Sequence, residues 1–115
     1  NFSYEYGFYA GVEIFESSKI PTAIYASNDS MAAGIMKSAQ MKGMEVPNDL
    51  SLTGFDDSPI AQQIWPALTT IKQPVQQMAA HAAKILIAKF DGLIDKTKSK
   101  EFKSELVVRE SLRLL

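Results

Sequence analysis

Short β-rich runs alternate with helix-period segments along almost the whole chain, and that alternation restricts its fold more than any other feature. Parallel strands need a crossover between them, which is usually a helix, and the crossover is right-handed. Thr22 to Ala26, Leu50 to Thr53, Leu68 to Lys72 and Glu105 to Arg109 read as strands. Residues 4 to 17 read as a helix, with Phe8, Gly11, Val12 and Phe15 at helical spacing behind a Ser3 cap. A second helix, 31 to 42, follows the capping oxygens of Ser27-Asn28-Asp29-Ser30 and stops at Gly43. Ser58 is placed to cap a short helix to about Ile64. Pro74 opens the longest, 75 to 91, as its first residue, and Gly92 ends it. Its apolar stripe is Val75, Met78, Ala79, Ala82, Ile85, Leu86 and Phe90. Residues 95 to 104 read as a polar connection. The expected class is α/β, a parallel sheet flanked by helices, with the strand at 22 to 26 apolar on both faces as a central strand requires.

Composition narrows the function classes. At 115 residues and 46% hydrophobic, the chain has material for one core and not two. Twelve basic against thirteen acidic side chains leave a formal charge of −1, so this piece alone is not expected to bind DNA. With no cysteine, neither a disulfide nor a thiolate metal site is possible, which suits the cytosol. Apolar runs such as Ala23 to Ala26 and Ile85 to Ala88 fall far short of the roughly 20 residues a bilayer needs. A start at Asn1, without initiator Met or leader, reads as a cut inside a longer polypeptide.

Enzyme chemistry finds no support. There is no GxGxxG, Walker or GxSxG element. His81, the single histidine, sits mid-helix with no Ser or acid at a catalytic spacing, and is expected to be structural or exposed. No catalytic residue, metal site or cofactor is assigned.

Ligands of open parallel sheets bind beyond the carboxyl ends of the strands. Asn28-Asp29 follows the first strand, Asp56-Asp57 the second and Gln73 the third. Amides and carboxylates there suit a polyol or sugar, whose hydroxyls donate and accept at once, and Phe2 is an available ring for an apolar sugar face. Other roles stand beside these. Asn28 also fits a helix cap, and the Asp pair also fits a capped turn. A Mg²⁺ or phosphoryl-acceptor role for Asp56 and Asp57 lacks the Lys or further acid that such chemistry adds.

The strings PTAIYASNDSMAAGIMKSAQMKGMEVPNDLSLTGFDDSP, PALTTIKQP and LVVRES resemble the effector domain of lactose-repressor (LacI/GalR) family regulators over nearly the whole chain. That resemblance implies a periplasmic-binding-protein-like (type I) fold, two α/β lobes with effector in the cleft, and a helix-turn-helix DNA-binding domain outside this piece. Residues 1–73 and 103–115 would form the C-terminal lobe, and 74–102 would pack on an N-terminal lobe that is absent here. By motif position, Asn28, Asp56 and Gln73 would contact the effector and Phe2 would stack on it. Ala33, Lys37, Met41, Ile60, Gln63 and Ile64 would lie in a dimer interface. The second helix supports this by itself: Ala32, Ile35, Met36 and Ala39 account for its inner face, while Met31, Ala33 and Met41 are apolar surface that a lone domain leaves wet.

The implied protein is a cytoplasmic, homodimeric, non-enzymatic transcriptional repressor sensing a sugar-like effector. It would touch DNA only through the missing domain and would not touch membrane. A periplasmic sugar-binding protein of a transporter is the main alternative, and a phosphotransfer or hydrolytic domain using Asp56 and Asp57 is the other. The stripe of helix 75–91, parted from its partner, is expected to drive self-association or helix exchange.

Overall fold

A computed structural model describes residues 2–92 and 99–113. Its elements run α1 (Tyr4–Glu16), β1 (Ala23–Tyr25), α2 (Asp29–Met41), β2 (Ser51–Thr53), α3 (Ile60–Gln63), β3 (Thr70–Lys72), α4 (Val75–Phe90) and β4 (Glu105–Val107). Of the polar connection expected at 95 to 104, residues 95–98 lie outside the described residues. The chain divides into two compact units, Asn1–Lys72 with Leu106–Leu115, and Gln73–Glu105.

In the first unit, β1 and β2 pair in parallel with Ile24 opposite Leu52. A parallel bridge from Thr53 to Thr69 joins them to the β3–β4 ladder. The α/β parallel architecture is therefore present. Its core gathers Phe15 of α1, Ile35 and Met36 of α2, and Leu50, Leu52 and Leu68 beside the strands. Helices α1 and α2 pack on each other through small residues, Gly7 and Gly11 against Gly34 and Ser38.

Local chemistry explains where α1 and α2 begin. Ser3 accepts the Tyr6 N–H at 3.3 Å, and Glu5 in the first turn takes its own backbone N–H and the Ser3 hydroxyl. Those bonds hold the Glu5 carboxyl below its ordinary value. Asn28 caps α2 by accepting the Met31 N–H at 2.8 Å, so the helix starts at Asp29, two residues before the expected Met31.

A seam at the C-terminus secures the strands. The Ser111 hydroxyl donates to Leu52 O at 2.6 Å and accepts the Thr69 N–H at 2.8 Å. The Leu52 N–H returns a bond to Ser111 O at 2.9 Å. Ser111 is fully buried as a result.

Four expectations need correction. β1 is an edge rather than a central strand among the described residues, with β2 as its one neighbour, and it is covered on one face: Ile24 packs against the core while Ala23 and Tyr25, on the opposite face, are exposed. Ser58 does not cap α3; Pro59 stands at the cap without a side-chain bond, and the Ser58 hydroxyl is drawn instead to the buried Asp29 carboxylate. Pro74 occupies the cap position of α4, one residue before the helix. Ala33 is 3% exposed, already covered within one chain, so it is not apolar surface left wet. Met31 is also partly buried against the core, leaving Met41 as the exposed apolar residue of that trio.

The second unit is dominated by α4, which has no buried residue. Met78, Leu86 and Phe90 of its stripe are exposed, Phe90 to 90%. Gly92 has φ 67°, the left-handed conformation that ends a helix. His81 is half-buried, edge-on to Phe102 at 5.7 Å, with no hydrogen-bond partner at Nε2 among the described residues. Covering Met78, Leu86 and Phe90 would be worth about 1.5 to 3 kcal/mol each. The isolated 115-residue chain is therefore expected to associate at micromolar concentration; a sedimentation mass of 12.7 kDa throughout that range would refute this.

Candidate functional site

Asn28 and Asp56 stand on one rim of the first unit. Asn28 follows β1 and Asp56 follows β2, and adjacent parallel strands lie about 4.8 Å apart. A backbone bond from Asp29 N–H to Phe55 O at 3.0 Å ties the two exits together. Helix α2 starts at this rim, with the first-turn N–H groups of Asp29 and Met31 taken up by Phe55 O and the Asn28 side chain.

The Asn28 amide is already partly engaged. Its oxygen caps α2, and its nitrogen donates to the Phe2 carbonyl at 3.1 Å. An amide has two N–H groups and two lone pairs, so cap and contact are compatible uses. The same bond draws the backbone of Phe2, whose side chain is exposed at 71% for the whole residue, to the rim.

The acids near this rim divide by environment. Asp29 is 1% exposed; one of its oxygens accepts the Ser58 N–H at 2.7 Å and the Ser58 hydroxyl at 3.0 Å, and the other accepts the Thr70 hydroxyl at 2.5 Å. Asp57 is bonded to Arg109 at 2.5 Å, both side chains being largely buried, and lies 3.8 Å from the exposed Lys72 ammonium. Arg109 also donates to Leu68 O at 2.8 Å. Asp56 is the exposed acid of the three.

Asp56 and Asp57 have φ of 108° and 53°. Such conformations cost of order 1 to 3 kcal/mol each without glycine and persist only where the surroundings impose them. The strain falls on the acid singled out at the second strand exit.

Gln73 is the first residue of the second unit, and its carbonyl accepts the Val75 N–H at 2.9 Å where α4 begins. Among the proposed interface residues, Lys37 and Gln63 are exposed, Met41 is 67% exposed, and Ile60 and Ile64 are half-buried, Ile64 against the core. No group of three or more His, Cys, Asp or Glu able to hold a metal occurs among the described residues.

Sequence reasoning passed over Thr70 and Arg109, gave Ser58 only a capping role, and placed Asp29 with Asn28 among the ligand-facing groups of the first strand exit, whereas its carboxylate is buried and bonded to Ser58 and Thr70. An acid in the first turn of a helix ordinarily faces water and the helix dipole. Nothing in the order of residues distinguishes that from a buried acceptor. A separate cavity of about 320 Å³, lined in part by Thr22, Ser51 and Arg113, lies at the amino ends of β1 and β2. Neither Asn28 nor Asp56 is among its lining residues.

A parallel sheet whose neighbouring exits present an amide and a strained carboxylate beside a helix start defines a class, the α/β lobes of binding-protein type. The sequence model for the periplasmic binding protein-like domain matches residues 4–112, and the chain belongs to that family. It is 38% identical to the probable HTH-type transcriptional repressor ExuR of Bacillus subtilis, over 96% of this chain and 33% of that protein. A LacI family transcriptional regulator from Enterococcus faecium with bound ribose superposes with TM-score 0.86 at 28% identity, over 100% of this chain and 42% of the other. One from Lactobacillus casei with bound sucrose gives TM-score 0.77 at 28% identity, over 95% and 40%. The chain spans about a third of the length of the curated relatives it matches. Among the described residues, no helix is long and apolar enough to cross a membrane.

Proposed function

We propose that this chain is part of the effector-sensing region of a transcriptional repressor, binding a sugar or sugar derivative and catalysing no reaction. The observation that carries the reading is the pairing of Asn28 and Asp56 on one rim, joined through the Asp29–Phe55 backbone bond. Relatives named as repressors, and similar regulators holding ribose or sucrose, support it.

In this reading Asn28, Asp56 and Gln73 bond the ligand hydroxyls and the Phe2 ring covers an apolar face. The protein acts as a homodimer through the surface of Lys37, Met41, Ile60, Gln63 and Ile64, with Ala33 beneath it. DNA is bound by a domain outside this chain. Ligand between two lobes favours one arrangement of them over another, and the dimer passes that difference to the DNA-binding domains.

Calorimetry on the intact protein with a panel of sugars and purines tests the site, with Asp56→Ala as the deciding variant. A charge-assisted hydrogen bond contributes about 1.5 to 3 kcal/mol. The variant is expected to lose roughly 10- to 150-fold in affinity. Binding undiminished by Asp56→Ala would remove this carboxylate from the site.

A further inference from the structure

We infer that Thr70 is a positioning residue: with Asp29 it forms a clamp that holds the Asp56-Asp57 turn in its ligand-ready backbone conformation. The inference rests on the reading of Asp56 as a ligand contact and goes beyond it by assigning what presents that carboxylate.

Three successive backbone N–H groups of the turn are each held by a different acceptor. Asp56 N–H donates to Ile71 O at 2.8 Å, Asp57 N–H to the Thr70 hydroxyl at 3.4 Å, and Ser58 N–H to the Asp29 carboxylate at 2.7 Å. The turn's preceding carbonyl, Phe55 O, accepts the Asp29 N–H at 3.0 Å. Left-handed conformations at two consecutive non-glycine residues are maintained only when neighbours over-determine them, and these four bonds are what does so.

Thr70 is the joint of the clamp. Its fully buried hydroxyl donates to Asp29 Oδ1 at 2.5 Å and accepts from the Asp57 N–H, so one group links the carboxylate at the start of α2 to the backbone of the turn. A hydroxyl can donate and accept at once, which no other side-chain group of that size does. Valine has nearly the same shape and neither function; serine keeps both.

The test compares Thr70→Val, Thr70→Ser and Asp56→Ala in the intact protein. Amide hydrogen exchange is read at residues 55–58, and calorimetry is run with ribose and with sucrose. Thr70→Val is expected to speed exchange at Asp57 and Ser58 by roughly tenfold or more, with α1 amides within about twofold of the parent. Affinity for whichever of the two sugars the parent binds should fall by roughly tenfold, and Thr70→Ser should restore both readouts. A role in general stability alone would raise exchange everywhere and leave affinity unchanged.

Asp56→Ala separates the two claims. If it abolishes binding while Thr70→Val leaves exchange and affinity within about twofold of the parent, the clamp is wrong and the binding site stands. If Asp56→Ala leaves binding intact, the site reading fails, and local exchange alone decides whether Thr70 holds the turn. The same exchange readout decides it if the parent binds neither sugar. Should Thr70→Val fail to fold, Ser58→Ala removes another donor to the same carboxylate. It is expected to act in the same direction by roughly threefold, and no change at residues 55–58 would overturn the clamp.

Discussion

Replacing Asp29 with alanine is expected to destabilise the chain by about 3 to 5 kcal/mol, a large share of the roughly 5 to 15 kcal/mol that holds an ordinary domain folded. The carboxylate is 1% exposed and accepts from three donors, the Ser58 N–H, the Ser58 hydroxyl and the Thr70 hydroxyl. A buried donor deprived of its acceptor costs about 1 to 3 kcal/mol, and Ser58, being half-buried, recovers part of that from water. Asparagine should be milder, with a loss of about 1 to 2 kcal/mol. Its oxygen still accepts from Ser58, and the Thr70 hydroxyl can reverse to accept from its nitrogen. Urea denaturation of the two variants measures the difference. A loss below about 1 kcal/mol in the alanine variant would mean that water replaces the carboxylate and that the network is not a structural centre.

Gly34→Ala is also expected to destabilise the chain, although alanine is the better helix former by about 1 kcal/mol. A β-carbon at Gly34 would meet the carbonyl oxygen of Tyr4 and the backbone nitrogen of Phe8, and one at Gly7 would meet the backbone of Met31. These neighbours are backbone atoms of a packed helix, so they cannot swing aside as a side chain does. Helices α1 and α2 would have to separate, loosening contacts from Gly7 to Ser38. Overpacking of this kind costs about 1 to 3 kcal/mol, and more where only backbone can yield. The upper part of that range exceeds the propensity gain, so a net loss of up to about 2 kcal/mol is expected. A chemical denaturation midpoint equal to or above the parent's would show that the helices are not in backbone contact.

Much of this architecture is legible in the order of residues. Periodicity fixed the alternation of strands and helices because it depends on neighbours within a few positions. Ser3 and Asn28 were legible as caps for the same reason: a side-chain oxygen reaches an N–H three residues ahead. Asn28 and Asp56 were legible as rim residues because a parallel sheet places every strand exit on one side.

The misread positions are those where a distant partner decides. Ser58 carries the same hydroxyl as a capping serine, yet Asp29, 29 residues earlier, claims it. Ala33 looks like spare surface on a helical wheel but is covered within the chain. Thr22 to Ala26 has the composition of a central strand, and the described chain gives β1 one neighbour.

By itself, the sequence determined which segments become strands and helices, where α1 starts, and which polar residues follow the strands, because those are consequences of local spacing. The tertiary structure alone decided which of three closely placed acids is buried among donors, which is paired with Arg109, and which is left exposed on a strained turn. Asp29, Asp56 and Asp57 carry the same side chain, and only packing sets how far each is taken out of water and which donors it meets there.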